Sequence, residues 1–457
     1  MSQAPAQVVV VGSGFAGFFA ARKLARILPR ELAEVTMVSA TDHLGYSPLL
    51  PEVAAGRLDP QRIAVPLHGS LGCSRILQGR VEAVDFESRK VRVRVASGEE
   101  VSLPYDRLVL AVGSVTREVA TPGLSEFAFG LKTLAEGQFI HDHVLQQLEL
   151  ADATTDPEAR RARLTFLVVG AGYTGTETAA QLQRMTQKQL SSFPSLSASD
   201  LRWLLVDRSP TILPELGPRL GRYTLRLLRR RGMDIRLGTT VTAMRPGEVE
   251  LSDGTVLPCR TALWTVGVTP PPIVDHLGLP VRGGRLVVDE YLKLCDHVWA
   301  AGDSAAASDP YDHDGVDYPP TAQHAQRQGT VIARNVAASL GVGTPRAYRH
   351  RDLGLVADLG GTKAVARPFG LPLTGLPAKV VTKGYHLGAI PHRANKLRVA
   401  ADWLVNLVSR PTATQLGLVQ ESAAQLRSEY SDELSRPAGT AASASAESPR
   451  PRPVRRS

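Results

Sequence analysis

The chain has 457 residues, 43% of them hydrophobic and 21% charged, which is typical of a globular protein with about two or three domains. Its three cysteines, Cys73, Cys259 and Cys295, form no C-x-x-C pair, so a disulfide scaffold and a local dithiol relay are excluded. The net charge of +9 comes without a zinc-finger or RNA-binding motif, and we therefore expect no nucleic-acid partner. No apolar run reaches the roughly 18 residues of a transmembrane helix.

The first part of the chain has the pattern of a β-α-β unit followed by an antiparallel meander. Residues 7–12 (QVVVVG) and 34–38 (EVTMV) are predicted to be buried parallel strands, with a helical pattern between them. Short alternating runs over 79–103 predict the meander. A further buried strand follows in 105–114 and ends at Gly113.

A second unit repeats this order. Its first strand is predicted at 165–170 (TFLVVG), and its second strand at 202–207 (RWLLVD). A meander is predicted around 234–258 and a strand at 262–268. Two copies of the same element order indicate a duplicated nucleotide-binding fold.

The last buried strand, 298–303 (VWAAGD), ends in a Gly-Asp pair like a returning part of the first unit. We therefore predict an α/β fold of two Rossmann-like dinucleotide-binding domains, the second inserted in the first. The first domain would comprise 5–114 and 285–335, and the inserted domain 160–270.

The C-terminal part predicts a third, α+β region at 345–410. Its β-like runs come first, and an amphipathic helix near 393–408 follows. Between Lys363 and Arg410 there are eight Lys/Arg and one acid, so this helix could lie flat on an anionic membrane surface or pack on the protein's own body. The segment 437–457 has no apolar period and is predicted to be disordered.

Two glycine loops carry the strongest signal for nucleotide binding. Each follows a G-x-G-x-x-G pattern between a strand and a helix: Gly12, Gly14 and Gly17 in the first loop, and Gly170, Gly172 and Gly175 in the second. In this pattern the first glycine allows the tight turn, the second lets the backbone approach a pyrophosphate, and the third allows close helix–strand packing. Two loops in matching context predict two dinucleotide sites.

The ends of later strands discriminate between the ligands. Asp207 closes the second strand of the inserted unit, where an acid hydrogen-bonds an adenosine ribose and favours NAD(H), although Arg208 leaves a 2′-phosphate open. In the first unit Ser39 stands at this position. Asp303, after Gly302, could accept a hydrogen bond from a flavin ribityl hydroxyl, or could act as a helix N-cap.

Four segments together resemble the type II NADH:quinone oxidoreductases, the non-pumping NADH dehydrogenases of the pyridine nucleotide-disulfide oxidoreductase superfamily. They are YSPLLPEVAAGRLDP (46–60), VVGAGYTGTETAAQL (168–182), VWAAGDSAA (298–306) and PPTAQHAQRQG (319–329). The resemblance covers roughly 7–410. It implies FAD in the first unit, NADH in the second and a membrane-facing C-terminal region.

The resemblance also implies residue roles. FAD would be held by Gly12, Gly14, Gly17, Ser39, Pro48, Gly113, Gly302 and Asp303. NADH would be held by Gly170, Gly172, Gly175 and Asp207. Glu177 would lie at the junction of nicotinamide and isoalloxazine, where it positions or protonates the reacting groups; the alternative is a salt bridge on a helix face. Ala322 and Gln323 would line the quinone pocket, and Gln323 would act with Glu177; the alternative is a polar first helical turn.

The chain departs from the family pattern at two places. Arg327 stands where the A-Q-x-A-x-Q pattern has its second glutamine, and Lys379 and Thr382 stand where the membrane-facing segment 375–387 has tryptophans. Lysines there predict a weaker, electrostatic membrane attachment.

The reaction predicted is hydride transfer from NADH to FAD, followed by reduction of a quinone without proton pumping. Arg327 and Lys379 favour an alternative in which the acceptor is soluble. A slow-turnover protein that senses FAD and NADH is a third hypothesis. We expect a cytoplasmic protein, peripheral on the inner face of the cell membrane, with an anionic membrane surface and a homodimer as possible partners and with no metal.

Overall fold

A computed structural model describes residues 4–72, 74–308, 317–350, 352–409, 413–421 and 425–426. Cys73 and the tail predicted to be disordered lie outside the described residues. Within them, no helix combines the length and the apolar character needed to cross a bilayer.

The larger sheet has eight strands, six from the first 110 residues and two from residues 293–300. Across the sheet the strands are Lys293–Cys295, Val298–Ala300, Arg107–Leu110, Ala6–Val11, Ala33–Ser39, Arg75–Asp85, Lys90–Val95 and Glu100–Pro104. The central strands are parallel, with Val8 opposite both Val35 and Arg107. Helices Phe15–Ile27 and Ala322–Ser339 pack on each other beside this sheet. The valine-rich runs are buried on both faces, as parallel strands require.

The second sheet has five strands, all parallel. In spatial order they are Ala128–Phe129, Thr261–Trp264, Thr165–Val169, Arg202–Asp207 and Asp234–Leu237. The prediction that residues 234–258 form one meander is therefore wrong in its first part. Helix Pro218–Arg230 returns the chain to the sheet edge, so Asp234–Leu237 extends the parallel sheet.

A three-stranded antiparallel sheet follows, with strands Val241–Arg245, Glu248–Leu251 and Val256–Pro258. The predicted strand 262–268 is also interrupted, because Val268–Thr269 leaves the parallel sheet and pairs antiparallel with Val115–Thr116. These two short strands carry the chain into and out of the second sheet.

The C-terminal region consists of a small sheet and two helices. Its antiparallel strands are Val356–Asp358, Ala364–Ala366 and Leu373–Thr374, and its helices are Gly375–Ala389 and Arg393–Val408. The first helix packs on the sheet, with Ala378, Thr382 and His386 on its buried face. The second helix lies where the sequence predicts an amphipathic helix.

The remaining elements connect these layers. The other helices are Leu50–Ala54, Pro60–Ile63, Leu124–Phe127, Leu134–Ala153, Pro157–Leu164, Tyr173–Gln189 and Ile273–His276. The other paired strands are His43–Gly45 with Ala64–Pro66, and Val281–Arg282 with Arg285–Val287 and Ala305–Ala306. Single-turn 3-10 helices occur at Ser47–Leu49, Leu190–Ser192, Pro214–Leu216, Gly302–Ser304 and Pro368–Gly370.

The described part of the C-terminal segment lies against the body of the protein. Asp142 Oδ2 accepts the backbone N–H groups of Leu416 and Gly417, at 3.2 and 2.9 Å. Further on, Gln425 forms a bridge with Phe129 at the edge of the five-stranded sheet. The chain after helix Arg393–Val408 therefore runs back to the second unit.

Candidate functional site

The first glycine loop depends on backbone that comes too close for a side chain. Gly12 has a φ of +95°, and a Cβ added there would lie 2.2 Å from the Ala111 carbonyl oxygen. A Cβ added at Gly17 would lie 1.8 Å from the Gly12 oxygen. At Gly14, in contrast, no heavy atom lies within 4 Å of an added Cβ. The loop is closed toward the strands and open in front of helix Phe15–Ile27.

The second loop has the same geometry. Gly170 has a φ of +110°, and its added Cβ would lie 2.6 Å from Thr265 Oγ1. A Cβ at Gly175 would lie 1.9 Å from the Gly170 oxygen, whereas Gly172 again faces open space. The two loops are structural equivalents.

Both loops fit the pyrophosphate of a dinucleotide. Helices Phe15–Ile27 and Tyr173–Gln189 each begin after a glycine, Gly14 or Gly172, and no side chain caps their N–H groups. The first N–H groups of a helix have no partner within the helix and carry a partial positive charge. An anion in the open space before each helix would satisfy them.

The ends of the second strands differ between the two units. Ser39 Oγ donates to Ser13 Oγ at 2.6 Å and accepts the Thr41 N–H at 3.2 Å. Asp207 accepts backbone N–H groups on both oxygens, from Ala171 at 2.5 Å and from Ser209 at 2.6 Å. Each carboxylate oxygen has a further lone pair for a ribose hydroxyl, so the second unit offers the stronger acceptor.

Asp303 lies inside the single turn Gly302–Ser304 and does not cap a longer helix. Its Oδ2 accepts a hydrogen bond from Ser114 Oγ at 2.5 Å, and Lys132 Nζ lies 3.5 Å away. Lys132 lies outside every sequence motif and was therefore not predicted. A lysine and a carboxylate beside the first loop can orient a polyhydroxylated chain such as a flavin's ribityl group.

The two units meet at Glu177. Helix Tyr173–Gln189 packs on helix Leu50–Ala54 of the first unit, and Glu177 on the first of these helices is 8% exposed and feels the charge of Glu52 on the second. Glu177 Oε1 accepts the Asp358 N–H at 2.5 Å. Burial raises the pKa of Glu177 to about 8. Glu177 forms no ion pair with any residue in the described ranges, so the helix-face salt bridge is not what the structure contains.

Four charged side chains, Glu52, Asp358, Lys379 and Lys383, surround this contact and are called the charged cluster below. Lys379 Nζ pairs with Asp358, and Lys383 Nζ pairs with Glu52 and lies 3.5 Å from Asp358. Trp403 Nε1 donates to Glu52 Oε2 at 2.8 Å. The expectation that Lys379 faces a membrane is wrong, because buried carboxylates draw both lysines inward.

The candidate acceptor side lies at helix Ala322–Ser339. Gln323 Nε2 donates to the Gly354 oxygen at 3.1 Å. Arg327, one turn further, donates to His350 Nδ1 at 2.9 Å. Burial raises the pKa of Tyr385, although Arg327 nearby and a hydrogen bond with Gln323 oppose the rise. Gln323, Arg327 and Tyr385 therefore lie close together; the sequence pattern had indicated Gln323 and Arg327 for this side, but not Tyr385.

The matches to known proteins agree with this arrangement. The family model described as pyridine nucleotide-disulphide oxidoreductase matches residues 6–329. The type II NADH:quinone oxidoreductase Ndh of Mycobacterium tuberculosis is 31% identical over 457 residues, covering 96% of each chain. The chain belongs to the pyridine nucleotide-disulphide oxidoreductase family and, within it, to the type II NADH:quinone oxidoreductases.

Other type II relatives extend the similarity over most of the chain. The demethylphylloquinone reductase NdbB of Synechocystis is 29% identical and covers 88% of this chain and 97% of its own. The structure of NDH2 from Plasmodium falciparum in complex with NADH superposes with a TM-score of 0.82 at 16% identity, over 90% of this chain and 99% of that one. That likeness supports the fold alone.

Proposed function

We propose that this type II oxidoreductase binds FAD at its first glycine loop, oxidises NADH bound at its second, and passes the electrons to a quinone without pumping protons. The observation that carries the proposal is the packing of helix Tyr173–Gln189 on helix Leu50–Ala54, which joins the two loop-bearing units. The names of the relatives from Mycobacterium tuberculosis and Synechocystis support a quinone as the acceptor.

Each glycine loop, with residues near it, would bind one of the two dinucleotides. FAD would be held by Gly12, Gly14, Gly17, Ser39, Pro48, Gly113, Gly302 and Asp303, and NADH by Gly170, Gly172, Gly175 and Asp207. Bound FAD supplies the hydride acceptor for NADH and the electron donor for the quinone. We propose that residues 5–114 and 285–335 form the FAD-binding domain, 160–270 the NADH-binding domain and 345–410 the C-terminal region.

Glu177 and Gln323 would each act on the reacting groups. A carboxyl with a pKa of about 8 is largely protonated at neutral pH, so Glu177 can keep a proton beside the redox centre and exclude a negative charge there. Gln323 would hydrogen-bond the acceptor carbonyl, and Tyr385 provides a hydroxyl next to it. Helix packing over Glu177 keeps water out of the contact.

Anaerobic mixing tests the proposal. NADH should bleach the yellow FAD-loaded protein, and a short-chain menaquinone analogue should restore the colour rapidly. Ferricyanide in place of the quinone is the matched soluble acceptor. Fast recolouring by ferricyanide with none by quinone would favour the soluble-acceptor hypothesis, and very slow bleaching by NADH would favour the sensor hypothesis.

We further propose that the C-terminal helices rest on the inner face of the cell membrane. Nine large apolar residues are more than half exposed between residues 369 and 408: Phe369, Leu371, Leu376, Val380, Leu397, Leu404, Val405, Leu407 and Val408. Exposed apolar residues in such number mark an interaction surface. The anionic headgroups of the inner leaflet would attract the basic residues that flank the second helix.

Vesicle flotation with phosphatidylglycerol tests the membrane proposal. Leu404→Ser should weaken binding about tenfold, because one leucine side chain contributes roughly 1.5 kcal/mol when buried. Leu150→Ser, on helix Leu134–Ala153, is the matched control and should bind as the wild type does. A homodimer that Leu404→Ser splits in the absence of vesicles would show that a second copy covers this surface, and would contradict the membrane proposal.

A further inference from the structure

The charged cluster places a buried carboxylate directly beside Glu177. The Asp358 backbone N–H donates to Glu177 Oε1 at 2.5 Å, while the Asp358 side chain, 6% exposed, pairs with Lys379. The two carboxyl groups come from different elements, the strand Val356–Asp358 and the helix Tyr173–Gln189. Lys379 comes from a third, the helix Gly375–Ala389. Two neighbouring elements of the C-terminal region therefore bring an acid and a lysine to Glu177, which lies 181 positions away from Asp358 in the sequence.

We propose that Asp358 and Lys379 are positioning residues that set the charge state of Glu177 where the two nucleotide-binding units meet. The inference rests on the proposed function, because Glu177 matters to turnover only if the hydride passes beside it. Asp358 orients Glu177 through its N–H and acts on it through its charge. Lys379 acts on Glu177 through Asp358 and by its own charge.

Charged and titratable groups from four elements act on Glu177 or on its partner Asp358. The charged and titratable groups are Glu52 on helix Leu50–Ala54, Tyr173 on its own helix, Asp358 on the small sheet, and Lys379, Lys383 and His386 on helix Gly375–Ala389. Burial is the largest cause of the raised pKa of Glu177, and the charges of Asp358 and Glu52 raise it further. Lys379 and the Asp358 N–H lower it.

The lysines keep Asp358 ionised. Burial would raise the pKa of Asp358, but Lys379 and Lys383 overcome this, so the pKa lies below its ordinary value. Asp358 therefore stays negative over the range in which Glu177 takes up its proton. The Asp358 charge acts on Glu177 through space, and a fixed charge within about 4–6 Å of a titrating carboxyl is expected to move its pKa by about one unit or more.

Two substitutions should shift the titration of Glu177 in opposite directions. Asp358→Asn keeps the backbone N–H and the side-chain size but removes the negative charge, so the pKa of Glu177 should fall. Lys379→Met removes the positive charge and keeps much of the apolar stem, so the pKa should rise. Each shift should be about one pH unit. Damaged packing alone would not separate the two variants by sign.

Infrared difference spectroscopy of the FAD-loaded protein would follow the carboxyl band of Glu177 against pH. Glu177→Gln identifies that band by its loss. Lys379→Arg should restore the wild-type midpoint, and Lys363→Met, which removes an exposed lysine from the turn of the same sheet, should leave it unchanged. Should Asp358→Asn fail to fold, the Lys379→Met and Lys379→Arg pair decides the question.

The pH dependence of flavin bleaching by NADH supplies the second measurement. Its midpoint should move with the infrared midpoint in both variants. Shifts of the same sign in Asp358→Asn and Lys379→Met, or no shift in either, would overturn the inference. Failure of the proposed function is distinguishable, because the wild-type flavin would then resist NADH at every pH while the infrared titration still reports on Glu177.

Discussion

The two glycine loops share a backbone but differ at the strand end that follows each of them. In both loops an added Cβ at the third glycine would collide with the oxygen of the first, and the second glycine faces open space. After the first loop, the Ser39 hydroxyl donates a hydrogen bond to Ser13. After the second, Asp207 presents an ionisable carboxylate. The shared backbone fits a phosphate in both loops, and we propose that the side chain at the strand end distinguishes which nucleotide each loop binds.

The largest effects should come from the third glycines, because the collision there involves backbone atoms. Gly17→Ala would place a Cβ 1.8 Å, and Gly175→Ala 1.9 Å, from a carbonyl oxygen. We expect Gly17→Ala to purify colourless, with FAD lost, and Gly175→Ala to keep its colour but lose NADH binding. Absorbance at the flavin band and isothermal titration with NADH measure the two losses separately.

Gly388→Ala is the control for these variants, since an added Cβ there meets no heavy atom within 4 Å. It should keep both cofactor affinities. Loss of FAD from Gly175→Ala with NADH binding retained would reverse the assignment of the two loops.

Glu177→Gln should have the next largest effect, where the two units meet. Without an ionisable carboxyl there, flavin reduction should slow by roughly 100-fold, the scale of general acid–base contributions. The pKa of Glu177 is raised to about 8 from 4.5, so its contribution to stability is full below pH 4.5 and is lost as pH rises through about 8.

The wild type should therefore lose thermal stability between pH 6 and 9, and Glu177→Gln should lose less. Scanning calorimetry of both proteins at the two pH values measures the difference. Equal losses in the two proteins would mean that Glu177 does not titrate in this range.

Asp207→Ala should give a smaller effect that is confined to the second loop. It removes the ribose acceptor and leaves the Ala171 N–H without its side-chain partner, a loss of about 1–3 kcal/mol. The dissociation constant of NADH should rise by about tenfold to 100-fold, while FAD content stays full. Fluorescence titration with NADH measures the change, and an unaltered affinity would remove Asp207 from the nucleotide site.

Ser39→Ala should give the smallest effect, on the first loop. It removes two neutral hydrogen bonds, one to Ser13 and one from the Thr41 N–H, each worth about 1 kcal/mol. FAD should bind a few-fold more weakly in a titration of the apoprotein, with NADH affinity unchanged. A loss of FAD affinity as large as the NADH loss in Asp207→Ala would show that the two strand ends act alike.

The sequence predicted the elements that depend on local backbone geometry. Both loops, the parallel strands around them and the helix Arg393–Val408 follow from glycine spacing and apolar periodicity within short windows. The type II family resemblance was also confirmed.

Contacts between side chains on different elements could not be predicted from the sequence. Lys383 pairs with Glu52, 331 positions away, and Lys379 with Asp358 on another element, so nothing near either lysine indicated that it turns inward. Lys132 and Asp303 are also far apart in sequence, so their contact was not predicted either. Helix Pro218–Arg230 crosses over and places Asp234–Leu237 in the parallel sheet. The alternation of apolar and polar residues along that strand does not indicate such a crossover.

Single-turnover reduction with NADH deuterated at its transferable C4 position tests the central claim most directly, namely that a hydride passes between the two units. Anaerobic stopped-flow absorbance would follow the flavin band of the wild-type protein. We predict that one equivalent of NADH bleaches one FAD and that deuterium slows the bleaching. Bleaching that deuterium leaves unchanged, or a flavin that stays oxidised with NADH bound, would contradict the account.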